Sequence, residues 1–387
     1  MTNVSLMKCD SYDLKQLKDK IIKGFNHIGF DINGVRNQKV ALKPNLLIPS
    51  KIERAIVTHP SFFRAICEII DDHQGRMIVI ESPAYHGLEP TLKKVGYLDT
   101  IQSLDIQIAD VHNKKTMHYS AAKTYKNIDI AQDFFDADII VNMPKFKTHG
   151  FTYVTGALKN YFGSIPGLKK SQMHMTAPSY PEFATFLLDL YGGFIQSFEP
   201  PKQFINIMDG IIVQEGEGPG PAGTPRPMNV IIIGTDAVAV DCVAVRVSGL
   251  DIEKVLTIQY AFERPFSINS ENEISVLGDR IEDVSLKDFK SSKNSIISNA
   301  VRWPLTSKTV KNLLVEKPVP NQNTCSACYQ CHKICPAGAI SKPSGKSKVP
   351  VFNYNQCIRC FCCMEVCPEA AIQTQKGTFQ WILELFQ

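Results

Sequence analysis

Hydrophobic residues recur along the chain with two periods, and the changes between them mark the predicted elements. Residues 12–28 place Leu14, Leu17, Ile21, Ile22 and Phe25 at helical spacing. Residues 39–45 form a short apolar run ending in Lys43, Pro44 and Asn45, read as a buried strand. Thr58, His59 and Pro60 supply an N-cap and an early proline, opening a helix through Asp72. The next strand is 77–82, ending in Glu81 and Ser82, and a Pro- and Gly-bearing loop follows to Gly87. A helix near 90–98 leads to a weak strand at 106–110, and 111–127 is mixed and polar. Residues 138–143 are a strong strand, running into Pro144 and a stretch with Lys145, Lys147 and His149. Residues 151–180 are rich in Gly, Lys and polar groups, and 181–198 read as a helix. Strands follow at 204–209 and 229–234, separated by the loop Gly216–Gly223, and Asp236 opens a helix reaching Val247. Strands alternating with helices at this spacing predict an α/β fold with a mostly parallel sheet flanked by helices, over residues 1–283. Residues 284–321, rich in Ser and Lys and ending near Pro318 and Pro320, read as a linker. A small second domain is expected at 322–375, followed by a short apolar helix at 376–387 that packs on its own protein or, alternatively, docks on a membrane or partner.

The second domain is defined by cysteine. Cys325, Cys328, Cys331 and Cys335, then Pro336, repeat as Cys357, Cys360, Cys363 and Cys367, then Pro368. This doubled spacing is the bacterial ferredoxin pattern for two [4Fe–4S] clusters, in which the fourth Cys of each run crosses to the other cluster. It predicts Cys325, Cys328, Cys331 and Cys367 on one cluster, and Cys357, Cys360, Cys363 and Cys335 on the other. A zinc site has little use for a third Cys two residues on and a fourth followed by Pro. Cys362 lies between ligands and is read as a bystander, since Cys363 keeps the register.

Composition narrows the class further. A chain of 387 residues with 44% hydrophobic content has room for a large core and more than one domain. Net charge is +4 with Lys and Arg scattered, which argues against a nucleic-acid binder. Cys9, Cys67, Cys242 and Cys362 are isolated, as expected in a reducing compartment. The N-terminus carries no apolar signal core, and no run approaches the ~20 apolar residues of a membrane span. A cytoplasmic protein without a transmembrane segment is expected.

Several predicted strands end in polar residues: Lys43 and Asn45, Glu81 and Ser82, Asn142 with Lys145, Lys147 and His149, then Asp209 and Asp236. In an open parallel sheet, ligands bind outside the carboxyl ends of the strands. The segment 142–176 adds Thr155, Gly156, Lys159, Asn160, Gly163 and His174. Its lysines offer cations for a carboxylate or phosphate, or nucleophiles if buried. Its histidines offer acid–base groups or metal ligands. Thr155 and Gly156 before a helical stretch could present backbone N–H groups to an anion. A basic surface loop is the plain alternative. The chain carries no P-loop and no dinucleotide fingerprint, so neither ATP nor a dinucleotide is expected in the standard manner.

These residues resemble a known family. Lys43 to Asn45, Pro144 to His149, Thr155 to Asn160 with Gly163, Asp209 and Gly210 with the Glu215 loop, and Asp236 to Asp241 look like the domain-of-unknown-function 362 family. That family is often fused to a two-cluster ferredoxin module. A fainter similarity is to the amino-terminal domain of nickel-pincer lactate racemases, where a His, a cofactor-bearing Lys and a second His follow one another. His149, Lys159 and His174 match that order, while a second racemase domain is missing. The similarity implies a ligand or cofactor site around Lys159.

The reading favoured at this point is an iron–sulfur oxidoreductase that passes electrons through two [4Fe–4S] clusters to an anionic substrate or cofactor on the α/β domain. Lys43, Asn45, Lys145, Lys147 and Asn160 would hold that ligand, and Asp209 and Glu215 would orient it or bind a metal. Lys159, His149 and His174 would be catalytic, a histidine supplying a proton. An electron donor or acceptor protein would be the partner. The competing reading is a non-catalytic electron-carrier or binding subunit docked to a partner redox enzyme.

Overall fold

The computed structural model describes residues 1–84, 86–167, 169–292, 312–313, 315–344 and 347–377. Among these, one mixed sheet organises the larger domain. Its strands are β1 (Thr2–Lys8), β2 (Lys39–Pro44), β3 (Arg76–Val79), β4 (Gln107–Ile108), β7 (Ile139–Met143), β8 (Lys145–His149), β9 (Tyr153–Thr155), β10 (Gln203–Gly216), β11 (Gly223–Gly234) and β12 (Ile274–Gly278). The strand order is β12-β1-β11-β10-β7-β2-β3-β4, with β8 added to β10 and β9 to β8. From β10 to β4 every neighbour is parallel, whereas β11 is antiparallel to both β10 and β1. Two further strands, β5 (Lys114–His118) and β6 (Asn127–Ala131), form a separate hairpin in the region that showed no clear period.

Helices cover the sheet as the periodicity requires. Leu14–Ile28 buries Leu17, Ile21 and Phe25, and its Asp13 N-cap accepts the Gln16 N–H. Each such side chain contributes about 1.5–3 kcal/mol when fully buried. Pro60–Asp72 starts one residue later than expected, because the cap is His59, whose ring nitrogen accepts the Ser61 N–H. Tyr180–Gln196 is buried nearly all round and opens with a reciprocal Ser179–Glu182 capping box. Asp236 caps Ala237–Ser248.

The strand β1 carried no signal, since buried Val4, Ser5, Leu6 and Met7 are consecutive and a strand covered on both faces shows no alternation. The strands predicted at 204–209 and 229–234 are the inner halves of the long hairpin β10–β11. The expected linker is shorter at both ends. Leu286 and Lys290 bond to the backbone of Val247 and Gly216, and β13 (Lys317–Pro320) pairs with β16 (Ile372–Gln375) in the smaller domain. That domain also holds the hairpin of β14 (Ile340–Ser341) with β15 (Val351–Phe352), and the short helices Gln330–Ile334 and Cys362–Glu365. Nearly all of the apolar helix expected at 376–387 lies outside the described residues.

Candidate functional site

The register of the parallel strands lines up polar residues at their carboxyl ends. Lys43 of β2 lies opposite Asn142 of β7, and Asn142 opposite Asn206 of β10. All three are fully buried, so each must find partners. Lys43 ion-pairs with Glu81 just beyond β3. The amides form a chain. Asn45 Nδ2 donates to Asn160 Oδ1 at 2.8 Å, Asn160 Nδ2 to Asn142 Oδ1 at 2.7 Å, and Asn142 Nδ2 to Asn206 Oδ1 at 2.8 Å. Asn206 ends the chain on the Gly234 carbonyl at 3.2 Å. Lys147 begins it, its Nζ donating to Asn45 Oδ1 and the Ile56 carbonyl, each at 2.6 Å.

Above this floor lies a cleft between the two domains. Asn45, Lys147, Lys159, Asn160 and His174 all line it, as do Glu81 and Lys170. Four lining residues come from the smaller domain: Ile334, Cys362, Glu365 and Val366. The two domains therefore build the cavity together. Gly220 in the β10–β11 turn packs on the backbone of Glu365, and Arg54 donates to the Pro368 carbonyl at 3.2 Å. Two glycines are fixed by close approach. A Cβ on Gly163 would overlap the Glu81 carboxylate, and one on Gly156 would overlap Asp241.

The electrostatics are those of amines held away from water. Burial lowers Lys159 to about 8, and its Nζ has a single weak contact, Thr155 Oγ1 at 3.4 Å. Burial lowers Lys147 well below its ordinary value, with the Lys159 charge adding to the effect. Lys170 is lowered by burial too, although Glu81 opposes the shift, and its Nζ donates to the Ser82 carbonyl. Both histidines are kept neutral. Burial takes His174 to about 3, and its Nδ1 is buried with no partner. Burial takes His149 to about 4. His149 Nδ1 accepts the Phe151 N–H at 2.9 Å, which leaves the ring proton on Nε2, facing Glu365 Oε1 at 3.3 Å. For Glu365, burial favours the neutral acid, but His149 and Lys159 outweigh it and bring the carboxyl down to about 2.

Several expected site residues lie elsewhere. His149 does not line the cavity and reaches it only through Glu365. Lys43 is beneath Glu81, not exposed to a ligand. Lys145 is paired with Asp209 at 2.8 Å, and Tyr12 and the His59 N–H complete that carboxylate. Glu215 accepts the Lys290 N–H at 3.1 Å. In this structure Asp209 and Glu215 thus bond to strands and to a returning segment of the chain itself. The helix start after Gly156 is also taken. Asp241 accepts the N–H groups of Ala157 at 2.5 Å and Leu158 at 3.0 Å, so no external anion is needed there. Sequence reasoning missed Lys170 and Glu365 and set Cys362 aside. Lys170 lay in a segment already noted for its lysines, but nothing in the sequence relates residues 362–366 to residue 159.

The cysteines surround two separate cavities. Cys325, Cys328, Cys331 and Cys367 line one, and Cys335, Cys357, Cys360 and Cys363, with Cys362 beside them, line the other. The backbone repeats around them. Ala327 and Tyr329 have φ of 57° and 55°, and their counterparts Arg359 and Phe361 have 64° and 59°. Left-handed residues other than glycine persist only where the surroundings demand them. Ala339 N–H donates to Cys335 Sγ at 3.3 Å, and Ala371 N–H to Cys367 Sγ at 3.2 Å. Four thiols around a cavity, with N–H groups aimed at sulfur, fit an iron–sulfur cubane. Among the described residues no three His, Cys, Asp or Glu converge as they would on a single metal ion.

Residues 40–246, more than half of the chain, match the family described as Domain of unknown function (DUF362). The chain belongs to that family. Residues 317–368 match the 4Fe-4S dicluster domain, so this DUF362 protein carries a C-terminal ferredoxin-type iron–sulfur domain. A curated relative, a thylakoid-associated protein of Synechocystis sp., is 28% identical over 258 residues, covering 66% of this chain and 77% of its own. A crystal structure of a Thermotoga maritima protein aligns at TM-score 0.39 and 13% identity, over 60% of this chain and 57% of that one. The lactate racemase apoprotein of Thermoanaerobacterium thermosaccharolyticum aligns at TM-score 0.35 and 11% identity, over 52% and 50%. No helix among the described residues of this DUF362 chain is long and apolar enough to cross a membrane.

Proposed function

We propose that this DUF362 protein is an oxidoreductase that delivers electrons from two [4Fe–4S] clusters to an anionic substrate or cofactor held between its domains. One observation carries the reading. Cys362 lines both the amine-rich cavity and the cavity of Cys335, Cys357, Cys360 and Cys363. The ligand site and the proposed cluster site therefore share a lining residue, Cys362. Cys325, Cys328, Cys331 and Cys367 would hold the other cluster. When bound, the clusters supply low-potential electrons one at a time.

The chain's own residues supply the rest. Lys159 and Lys170 face a ligand anion, while Lys147, Asn45 and Asn160 fix the floor. Lys43 balances Glu81, so the lysines on the wall remain available. His149 and His174 are neutral near pH 7, which moves the proton-donating role from the histidines to Lys159, cationic below about 8. His174 lines the same cavity, and its buried Nδ1 has no hydrogen-bond partner, so it could accept or donate one hydrogen bond to a ligand. Cys9, Cys67 and Cys242 are buried free thiols, which supports a reducing, cytoplasmic setting.

The test is anaerobic reconstitution of the wild type and of Lys159→Ala, with iron and sulfide analysis and EPR. The variant is expected to keep both clusters and to lose turnover or retention of the co-purifying ligand. Wild-type turnover or ligand retention in the variant removes Lys159 from the site.

A further inference from the structure

We infer that electrons enter this protein at the Cys325–Cys328–Cys331–Cys367 cluster, through a basic collar that docks an acidic one-electron carrier protein. The inference rests on the cluster assignment above and adds a direction and a partner chemistry to it. The two cysteine cavities are not equivalent. That of Cys335, Cys357, Cys360 and Cys363 shares Cys362 with the ligand cavity, on the side covered by the α/β domain. Both are lined by residues of the smaller domain, but that of Cys325, Cys328, Cys331 and Cys367 has no residue in common with the ligand cavity, and its Cys328 is exposed. One cluster therefore faces the ligand and the other faces outward.

The mouth of the outward cavity has a definite chemistry. Tyr329 and Pro350 line it. Exposed Lys342 lies with its Nζ 5.4 Å from the Tyr329 ring centre, and the Tyr329 hydroxyl donates to the carbonyl of exposed Lys348 at 3.0 Å. Beside Pro350, Val351 is 54% exposed, one of few large apolar side chains left in water. An apolar centre with a charged rim is the usual anatomy of a transient protein interface. Residues 317–377 contain seven Lys or Arg against two acidic residues, and because thiolate-bound clusters are themselves anionic, the positive field is concentrated at the rim, on exposed Lys342 and Lys348. Such a field speeds encounter with a negatively charged partner and slows it with a cation.

Anaerobic stopped-flow bleaching of the cluster absorbance tests this on the reconstituted full chain, with EPR confirming both clusters in every variant. The probes are a reduced acidic two-cluster ferredoxin and the methyl viologen radical cation. Wild-type reduction by the ferredoxin should slow about tenfold as salt rises from low ionic strength to about 0.3 M. At low salt, Lys342→Glu/Lys348→Glu should slow the ferredoxin about tenfold and speed the viologen. Lys342→Ala/Lys348→Ala should give a smaller change of the same signs, and Lys126→Glu, on the α/β domain, none. An unchanged ferredoxin rate in the double reversal overturns the docking site, and so does equal slowing of both probes. Either failure leaves ligand retention by Lys159 untouched, because cluster bleaching needs no ligand in the interdomain cavity.

Discussion

Replacing Glu81 by Gln keeps the shape of the side chain and removes its charge from a fully buried ion pair. Lys43 is 0% exposed and its Nζ otherwise meets only the Pro44 carbonyl at 3.3 Å. Burial already lowers Lys43, and Glu81 is what opposes that shift. The Gln amide would turn either a donor toward an ammonium or a weaker acceptor toward it. Lys170, 4.0 Å from the other carboxylate oxygen, loses the same partner. Breaking a buried pair from one side costs about 3–5 kcal/mol, because the remaining charge stays desolvated. At about 2–4 °C per kcal/mol, the α/β transition should fall by roughly 6–20 °C. Anaerobic thermal melting by circular dichroism reads the shift, with cluster absorbance recorded alongside to separate the two domains. Lys43→Met/Glu81→Gln removes the orphan charge and should recover most of the loss. A fall under about 1 kcal/mol in Glu81→Gln, or no recovery in the double variant, refutes the view that this pair is held by mutual neutralisation.

Other outcomes follow from the same geometry. Affinity for an anionic ligand should fall as pH rises through about 8, where Lys159 loses its proton, and titration calorimetry across that range should show proton uptake on binding. The unfolded lysine, at 10.5, binds more protons than the folded one between 8 and 10.5, so stability should rise with pH there, and Lys159→Met should flatten the slope by up to about 3 kcal/mol. Gly163→Ala should lower stability and ligand retention together, since its Cβ needs the space of the Glu81 carboxylate; a melt within 1 °C of wild type would contradict that packing. Cys362→Ser should keep the iron content of both clusters while Cys363→Ser loses one, and iron analysis of the two variants separates ligand from neighbour.

How much of this was legible differs by link in the chain of causes. Helices showed through the 3.6-residue spacing of residues such as Leu17, Ile21 and Phe25, and inner strands through apolar runs. The strand β1 and the outer halves of β10 and β11 did not, because consecutive buried residues and irregular edge pairing leave no period. Asn45, Lys147, Lys159, Asn160 and His174, which line the cavity, were singled out by their position beyond strand ends or in the segment after β7. Lys145, Asp209 and Glu215 have the same kind of position and were equally plausible. Only the pairing of strands shows that they satisfy one another or a backbone group.

The sequence by itself determined the cluster motif, because thiolate spacing along a short segment sets which sulfurs can surround one cubane. It also determined the α/β class, because the period of apolar residues is a local property. The tertiary structure alone decided where the proposed ligand site is. Cys362 and Glu365 are some two hundred residues from Lys159, and their shared cavity comes from how the two domains pack. It also decided the state of the titratable groups. Burial, which no local sequence window records, makes His149 and His174 neutral and brings Lys159 near neutrality.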